Sequence, residues 1–256
     1  MKKYALIGEH LGHSCSPLVH SEIFKDYGID CQYEKIECNI DELENVINNL
    51  KKGIYHGYNV TIPYKREVMK YLDEISDEAL AIGAVNTVAL KNGKAIGYNS
   101  DYYGFRDEVL HYNIDVKGKK CFILGTGGAS LAVYKALADL GGNVLYVSRN
   151  PKNKDTISYE ELNNIKDIFL IVNATPVGMS PNIGVSPIDK SLAQKAKYVM
   201  DVIFNPRQTQ LLLDANSKMD GFYMLVAQAV KSEEIWQDKK YEGDVSELAL
   251  RIEAKL

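Results

Sequence analysis

The chain has 256 residues, which at about 150 residues per domain is roughly 1.7 domains, enough to bury real cores without disulfide or metal staples. Apolar residues make up 46% and charged residues 25%, the balance of a folded globular protein, so disorder and low complexity are excluded. A net charge of −4 and a pI near 5.8 argue against nucleic acid or a membrane surface as partner, and the longest apolar run, residues 222–227, falls far short of the ~20 residues a membrane helix needs.

The basic start Met1-Lys2-Lys3 is followed only by Tyr4, Ala5, Leu6 and Ile7 before Gly8-Glu9, too short for an export-signal core. Residues 4–8 read as a strand and residues 17–27 as a helix, with Ser16 as N-cap and Pro17 at the first helical position. Residues 31–37 alternate like a strand. Residues 41–50 open with an acidic turn and carry Leu43, Val46, Ile47 and Leu50 on one helical face. Residues 55–60 form the next predicted strand. Residues 85–90 and 95–98 flank Asn92-Gly93, which tolerates the positive φ of a tight hairpin turn. A hairpin inside an alternating pattern predicts a mixed sheet.

The pattern restarts at Lys119. Strands are predicted at 120–124, 144–148, 168–173 and 198–203, with a helix at 129–140 closed by Gly141-Gly142. Their continuous Val, Ile and Leu content suits a parallel sheet covered on both faces. From Phe222 onward the chain reads as helices alone. The fold class is α/β with two domains, one with a mixed sheet over residues 1–101 and a Rossmann-like parallel sheet over 102–220. Cys15, Cys31, Cys38 and Cys121 fit no metal-ligand spacing, so no metal is expected and all four read as reduced thiols of a cytoplasmic protein. Cys15, in a polar stretch, is the candidate for a reactive thiol.

The sharpest local feature is Gly125-Thr126-Gly127-Gly128-Ala129, where a strand runs through a glycine-rich turn into a helix. Gly125 permits the tight turn, Gly127 lets a pyrophosphate approach the backbone, and the helix N-terminus offers free N–H groups. Ser130 takes the third small position. An NAD-binding fold ends its second strand in Asp or Glu to hold the ribose hydroxyls; here that strand ends Ser148-Arg149-Asn150. A permanently charged arginine fork suits a 2′-phosphate, with Ser148 and Asn150 as further donors. NADP is favoured over NAD.

In the first hundred residues, polar groups cluster where strands end. Gly12-His13-Ser14-Cys15-Ser16-Pro17 offers two hydroxyls beside a helix start, and Asn59-Val60-Thr61-Ile62-Pro63-Tyr64-Lys65 places Pro63 at a helix start with Lys65 on its first turn. Gly83-Ala84-Val85-Asn86-Thr87 follows a short helix, and Gly97-Tyr98-Asn99-Ser100-Asp101 ends the hairpin and caps the next helix. Hydroxyls, amides, one lysine and one aspartate at the carboxyl ends of strands suit a small polyhydroxylated acid.

Those stretches, with Asn173-Ala174-Thr175-Pro176-Val177-Gly178-Met179 and residues 221–229, stand in the order found in shikimate dehydrogenases, which the chain resembles nearly end to end. The resemblance implies reversible NADPH-dependent reduction of 3-dehydroshikimate to shikimate in aromatic amino-acid biosynthesis, by a monomer or homodimer. It also implies that C-terminal helices, residues 221–256, pack back on the first domain. Ser14, Ser16, Thr61, Asn86 and Gln228 would bind the substrate, with Lys65 and Asp101 as the catalytic pair. Gly125, Thr126, Gly127, Gly128, Ala129, Ser148, Arg149, Asn150, Val202, Gly221 and Met224 match cofactor-lining positions, and Asp77 a place near the nicotinamide.

The pair fits the chemistry. Hydride addition builds negative charge on a carbonyl oxygen, which a lysine in reach protonates while a carboxylate holds the ammonium. Two departures stand out. Phe204 occupies a place where the family often has a Tyr that helps hold the carboxylate, and Gly8-Glu9-His10-Leu11 replaces a more usual Gly-x-Pro-Ile. His13 and His20 read as structural. The rival readings are a quinate/shikimate dehydrogenase using NAD, opposed by Ser16 and Arg149, and a catalytically silent NADP-binding regulator, which would not need both Lys65 and Asp101.

Overall fold

The computed structural model describes residues 1–256 with the exception of His13, so the structural reading of that histidine lies outside the described residues. Tyr4, Ala5, Leu6 and Ile7 are buried in succession along β1 (Lys2–Gly8), as a strand covered on both faces requires. β1 pairs in parallel with β2 (Cys31–Glu37) and with β3 (Gly57–Val60). β3 pairs antiparallel with β5 (Thr87–Lys91), which returns as β6 (Lys94–Tyr98). Asn92 and Gly93 sit at φ 51° and 76°, the turn that the Asn-Gly pair predicted. With β4 (Glu74–Ile75) beside β6, the sheet runs β2-β1-β3-β5-β6-β4 and is mixed.

The second sheet is parallel throughout. β7 (Lys120–Leu124) lies between β8 (Asn143–Val147) and β10 (Leu170–Asn173), and β9 (Thr156–Ile157), β11 (Tyr198–Asp201) and β12 (Lys218–Asp220) complete the order β12-β11-β10-β7-β8-β9. The chain leaves β7 toward β8 and later crosses to the other side as β10. The carboxyl ends of β7 and β10 therefore flank a topological switch point.

The chain divides into two compact units, Met1–Gly104 with Val226–Leu256, and Phe105–Leu225. In the first, Leu43, Val46, Ile47 and Leu50 of α2 (Leu43–Lys51) are all buried against the sheet, each worth about 1.5–3 kcal/mol. Trp236, on α9 (Phe222–Gln237), stacks on Tyr4 at 4.6 Å and donates its indole N–H to the Val88 carbonyl at 3.0 Å. A Cβ on Gly57 would lie 2.2 Å from that indole nitrogen, so glycine is what admits the ring. In the second, Phe122, Leu124, Ile171 and Val199 form the centre, with α5 (Gly128–Asp139) burying Ala132, Val133, Ala136 and Leu137.

Three sequence-based expectations change. α1 (Ser16–Tyr27) starts at Ser16 with Cys15 at the N-cap; Ser14 Oγ accepts from the Ser16 N–H and donates to its hydroxyl, so Ser16 is drawn into the first turn. Residues 40–42 form a short 3-10 turn ahead of α2, because Asn39 and Glu42 close a capping box there. Residues 62–66 form successive turns and the following helix is 3-10, over Glu67–Tyr71, so Pro63 starts no α-helix.

Candidate active site

Lys65 is placed by its backbone. Its carbonyl accepts the Val85 N–H at 2.8 Å, so the turns after β3 are tied to the stretch that carries Asn86 into β5. Asp101 lies in the first turn of α4 (Ser100–His111), where a helix dipole favours a carboxylate. The capping bond of that helix comes from Asn99, whose Oδ1 accepts the Tyr102 N–H at 3.1 Å, leaving the Asp101 carboxylate for Lys65. Lys65 Nζ sits 2.6 Å from Asp101 Oδ2, with side-chain exposures of 14% and 9%. So enclosed an ion pair is costly to break from one side, by about 3–5 kcal/mol, which holds the two groups together.

The same unit carries the other polar groups that the sequence singled out. Ser14 and Ser16 stand 3.0 Å apart, hydroxyl to hydroxyl, both half-buried. Their loop is pinned from β2, where Glu37 accepts the Leu11 N–H at 2.6 Å and Lys35 donates to the Leu11 carbonyl at 3.0 Å. Leu11 is buried, and a Cβ on Gly8 would lie 2.7 Å from both Leu11 and Thr61, so the unusual Gly8–Leu11 stretch packs tightly under the loop. Thr61 is half-buried at the end of β3. Asn86 is 3% exposed; its Oδ1 accepts the Ser100 N–H at 2.6 Å and its Nδ2 donates to Ser100 Oγ at 3.0 Å. Ser100 Oγ also donates to Gln228 Oε1 at 3.3 Å. Asp77 stands exposed in the first turn of α3 (Asp77–Ile82).

Burial pushes the Cys15 thiol up, the opposite of what a reactive thiolate needs. His20 is buried, with Nδ1 2.6 Å from Glu233 Oε1 and its ring stacked on Tyr33 at 4.0 Å. That is the structural role expected of it.

In the second unit, Gly125 at φ 102° faces Ala174 and Thr175 across the switch point, where a Cβ would meet Thr175 Cγ2 at 2.9 Å. Gly127 has an ordinary extended backbone at the N-cap of α5, and a Cβ there would meet nothing within 4 Å. Neither conformation nor packing demands that glycine, so its open face is a cradle that a side chain would fill. Thr126 is exposed, Gly128 and Ala129 open the helix half-buried, and the buried Ser130 donates to the Gly127 carbonyl at 2.6 Å. Ser148 Oγ accepts the Asn150 N–H at 3.2 Å, shaping the turn after β8 on which Arg149 is exposed.

Gly221 has a different reason. Its Cβ would lie 2.4 Å from the Val202 carbonyl oxygen, so it lets the start of α9 pass the end of β11. Val202 and Phe204 are half-buried there, and Met224 is buried. Two acids nearby escaped the sequence reading. Asp201 accepts from Thr209 Oγ1 at 2.7 Å, Asn173 Nδ2 at 3.0 Å and the Ile203 N–H at 3.0 Å, yet burial raises its pKa to about 6. Glu108 accepts the Met224 N–H while its Oε1 has no partner among the described residues, and burial raises it well above the ordinary range. In the first unit Tyr33, Asn59 and Ser232 were likewise missed as neighbours of the lining.

A parallel sheet with a glycine turn at its switch point, in one chain with a mixed-sheet unit bearing an enclosed lysine–aspartate pair, defines a two-domain α/β dehydrogenase. Residues 6–88 match the family model described as the shikimate dehydrogenase substrate binding domain. Shikimate dehydrogenase (NADP(+)) of Clostridium perfringens is 42% identical over 265 residues, covering 96% of this chain and 98% of that protein. The crystal structure of shikimate dehydrogenase 1 from Peptoclostridium difficile superimposes with a TM-score of 0.92 at 41% identity, covering 100% of this chain and 99% of the other. That of the Thermus thermophilus enzyme in complex with NADP(H) and shikimate gives 0.90 at 28% identity, with 100% of both chains covered. The chain belongs to the shikimate dehydrogenase family.

Proposed function

We propose that the protein reduces 3-dehydroshikimate to shikimate reversibly, with NADPH as reductant. The observation that carries this reading is the 2.6 Å Lys65–Asp101 pair, in the unit that also carries Asn86, Ser100 and the Ser14–Ser16 loop. A carboxylate and several hydroxyls on a small ring call for such donors, and Ser14, Ser16, Thr61, Asn86 and Gln228 supply them. Phe204 has no hydroxyl to offer a carboxylate, so that end of the substrate rests on Ser14 and Ser16.

The cofactor fits the residues present. Gly125 and Gly127 leave backbone open beside the free N–H groups of α5, which suits a pyrophosphate, and Arg149 with Ser148 and Asn150 suits a 2′-phosphate. Thr126, Gly128 and Ala129 would complete the cradle, Val202, Gly221 and Met224 would line the far end, and Asp77 would stand near the nicotinamide. When bound, NADPH supplies the hydride. The protein's own part is the proton: Lys65 Nζ gives one to the carbonyl oxygen as charge develops there, and takes one from the hydroxyl in reverse. Asp101 Oδ2 keeps Nζ in place. We assign the substrate-binding domain to residues 1–101 with helices 221–256, the NADP domain to 102–220, the state to monomer or homodimer, and the location to the cytoplasm, a placement supported by four unpaired cysteines.

The test mixes purified protein with shikimate and NADP, then substitutes NAD or quinate, while following the absorbance of reduced nicotinamide. Turnover with shikimate and NADP is expected. Its absence would overturn the assignment, and faster turnover with NAD would overturn the role given to Arg149.

A further inference from the structure

Beneath the lining lies a closed group of hydroxyls. Thr87 Oγ1 is 2.9 Å from Ser100 Oγ and 2.9 Å from Ser232 Oγ, and the last two are 3.0 Å apart. All three residues are fully buried. The hydroxyls come from β5, from the start of α4 and from α9, so three elements remote in sequence meet at one point.

The bonding directions follow from groups with no choice. The Asn86 carbonyl accepts from Asn59 Nδ2 at 3.3 Å, so the amide nitrogen of Asn59 faces inward and also donates to Ser232 Oγ at 2.9 Å. Asn59 Oδ1 then faces Tyr33, whose hydroxyl donates to it at 2.8 Å. Ser232 spends its own proton on the Gln228 carbonyl at 3.0 Å, one helical turn back. It can therefore only accept from the other two hydroxyls. When Thr87 gives its proton to Ser232, Ser100 is left to direct its own to Gln228 Oε1 or Asn86 Oδ1; when Ser100 gives its proton, Thr87 can direct its own to Asn86 Oδ1 at 3.3 Å. The Ser100 N–H already holds Asn86 Oδ1 inward, and the Ser100 bond turns the Gln228 amide nitrogen away from the group.

We propose that Ser232 is a positioning residue for substrate binding: with Thr87 and Ser100 it forms a hydroxyl triad that orients the side-chain amides of Gln228 and Asn86. This rests on the reading of those amides as substrate ligands. Ser232 touches no reacting atom. Its loss leaves Asn59 Nδ2 without its shortest acceptor and deprives Thr87 and Ser100 of one, so their protons compete for the oxygens that orient the two amides.

The test is steady-state kinetics of Ser232→Ala, Ser100→Ala, Gln228→Ala and the double variant Ser232→Ala/Gln228→Ala. For Ser232→Ala and Ser100→Ala we expect KM for shikimate to rise about fivefold or more, as for loss of one hydrogen bond, with KM for NADP unchanged. The double variant should show less than the product of the two single effects. NADP affinity reports only its own unit, so a cooperative thermal melt like the parent's is the check that each serine variant is folded. If KM for shikimate rises in Gln228→Ala yet stays within about twofold in both serine variants, the positioning role is overturned alone. Fully multiplicative effects in the double variant overturn it as well. An unchanged KM in Gln228→Ala overturns the ligand reading of that side chain, and the proposal with it.

Discussion

Asp201→Asn isolates the contribution of one buried carboxylate. Asp201 is 1% exposed at the end of β11, and its pKa is raised from 3.8 to about 6 by burial, against the opposing pull of Thr209, Ile203 and Asn173. The folded state thus holds the proton more tightly than the unfolded chain does. Such a group contributes stability that is fully present below the unfolded value and is lost as pH rises through about 6. A rise of about two pH units at about 1.4 kcal/mol each comes to about 3 kcal/mol, undiminished by solvent because the group is buried. Asparagine fits the same contacts. Its oxygen keeps the Asn173 and Ile203 bonds, and its amide meets Thr209 Oγ1, which turns from donor to acceptor. The variant should therefore gain on the parent with pH. Because about 1 kcal/mol is already lost at pH 4.5, above the unfolded value of 3.8, thermal melts at about pH 4.5 and about pH 8 should show its Tm climbing relative to the parent by about 4–8 °C, at 2–4 °C per kcal/mol. A Tm difference that is the same at both pH values would refute the reasoning.

Lys65→Met should lower kcat by about a hundredfold or more while NADP still binds, checked by turnover and by nucleotide titration. Arg149→Ala should raise KM for NADP about ten- to hundredfold and leave KM for NAD nearly unchanged, since only the former carries the 2′-phosphate. Gly127→Val places a side chain in open space at an ordinary φ, so the melting temperature should hold within about 2 °C while nucleotide affinity collapses in a titration. A normal affinity there would mean the glycine cradle holds no phosphate.

Much of this architecture is legible in the residues because its signals are local. Asn92-Gly93 admits positive φ at both turn positions, and the Val- and Ile-rich run of β10 has no polar face to show solvent. β4, β9 and β12 are two or three residues long, too short for any period to register. The expectation of Ser16 as a cap failed because a neighbouring hydroxyl, Ser14, competes for its N–H and its side chain. Lys65 and Asp101 are visible as motif members, but the 2.6 Å pairing depends on Asn99 taking the capping role. Ser232 could not be found by pattern. Only the first six residues of α9 form an unbroken apolar run, Ser232 lies in its mixed second half beside Lys231 and Glu233, and the partners that give this serine meaning, Asn59 and Thr87, lie 173 and 145 positions away.

The first unit is assembled from two separated stretches, and that sets an order of events during synthesis. Phe105–Leu225 is one continuous segment and is complete as soon as its last residue leaves the ribosome. Met1–Gly104 emerges earlier yet lacks its lid of α9 until Val226 and beyond have been made. Before then the groove over Gly57 has no Trp236, Asn59 has no Ser232, and His20 has no Glu233. The unit whose translation begins first is thus the unit completed last, and until α9 is made the nascent chain leaves Gly57, Asn59 and His20 without the side chains that cover them.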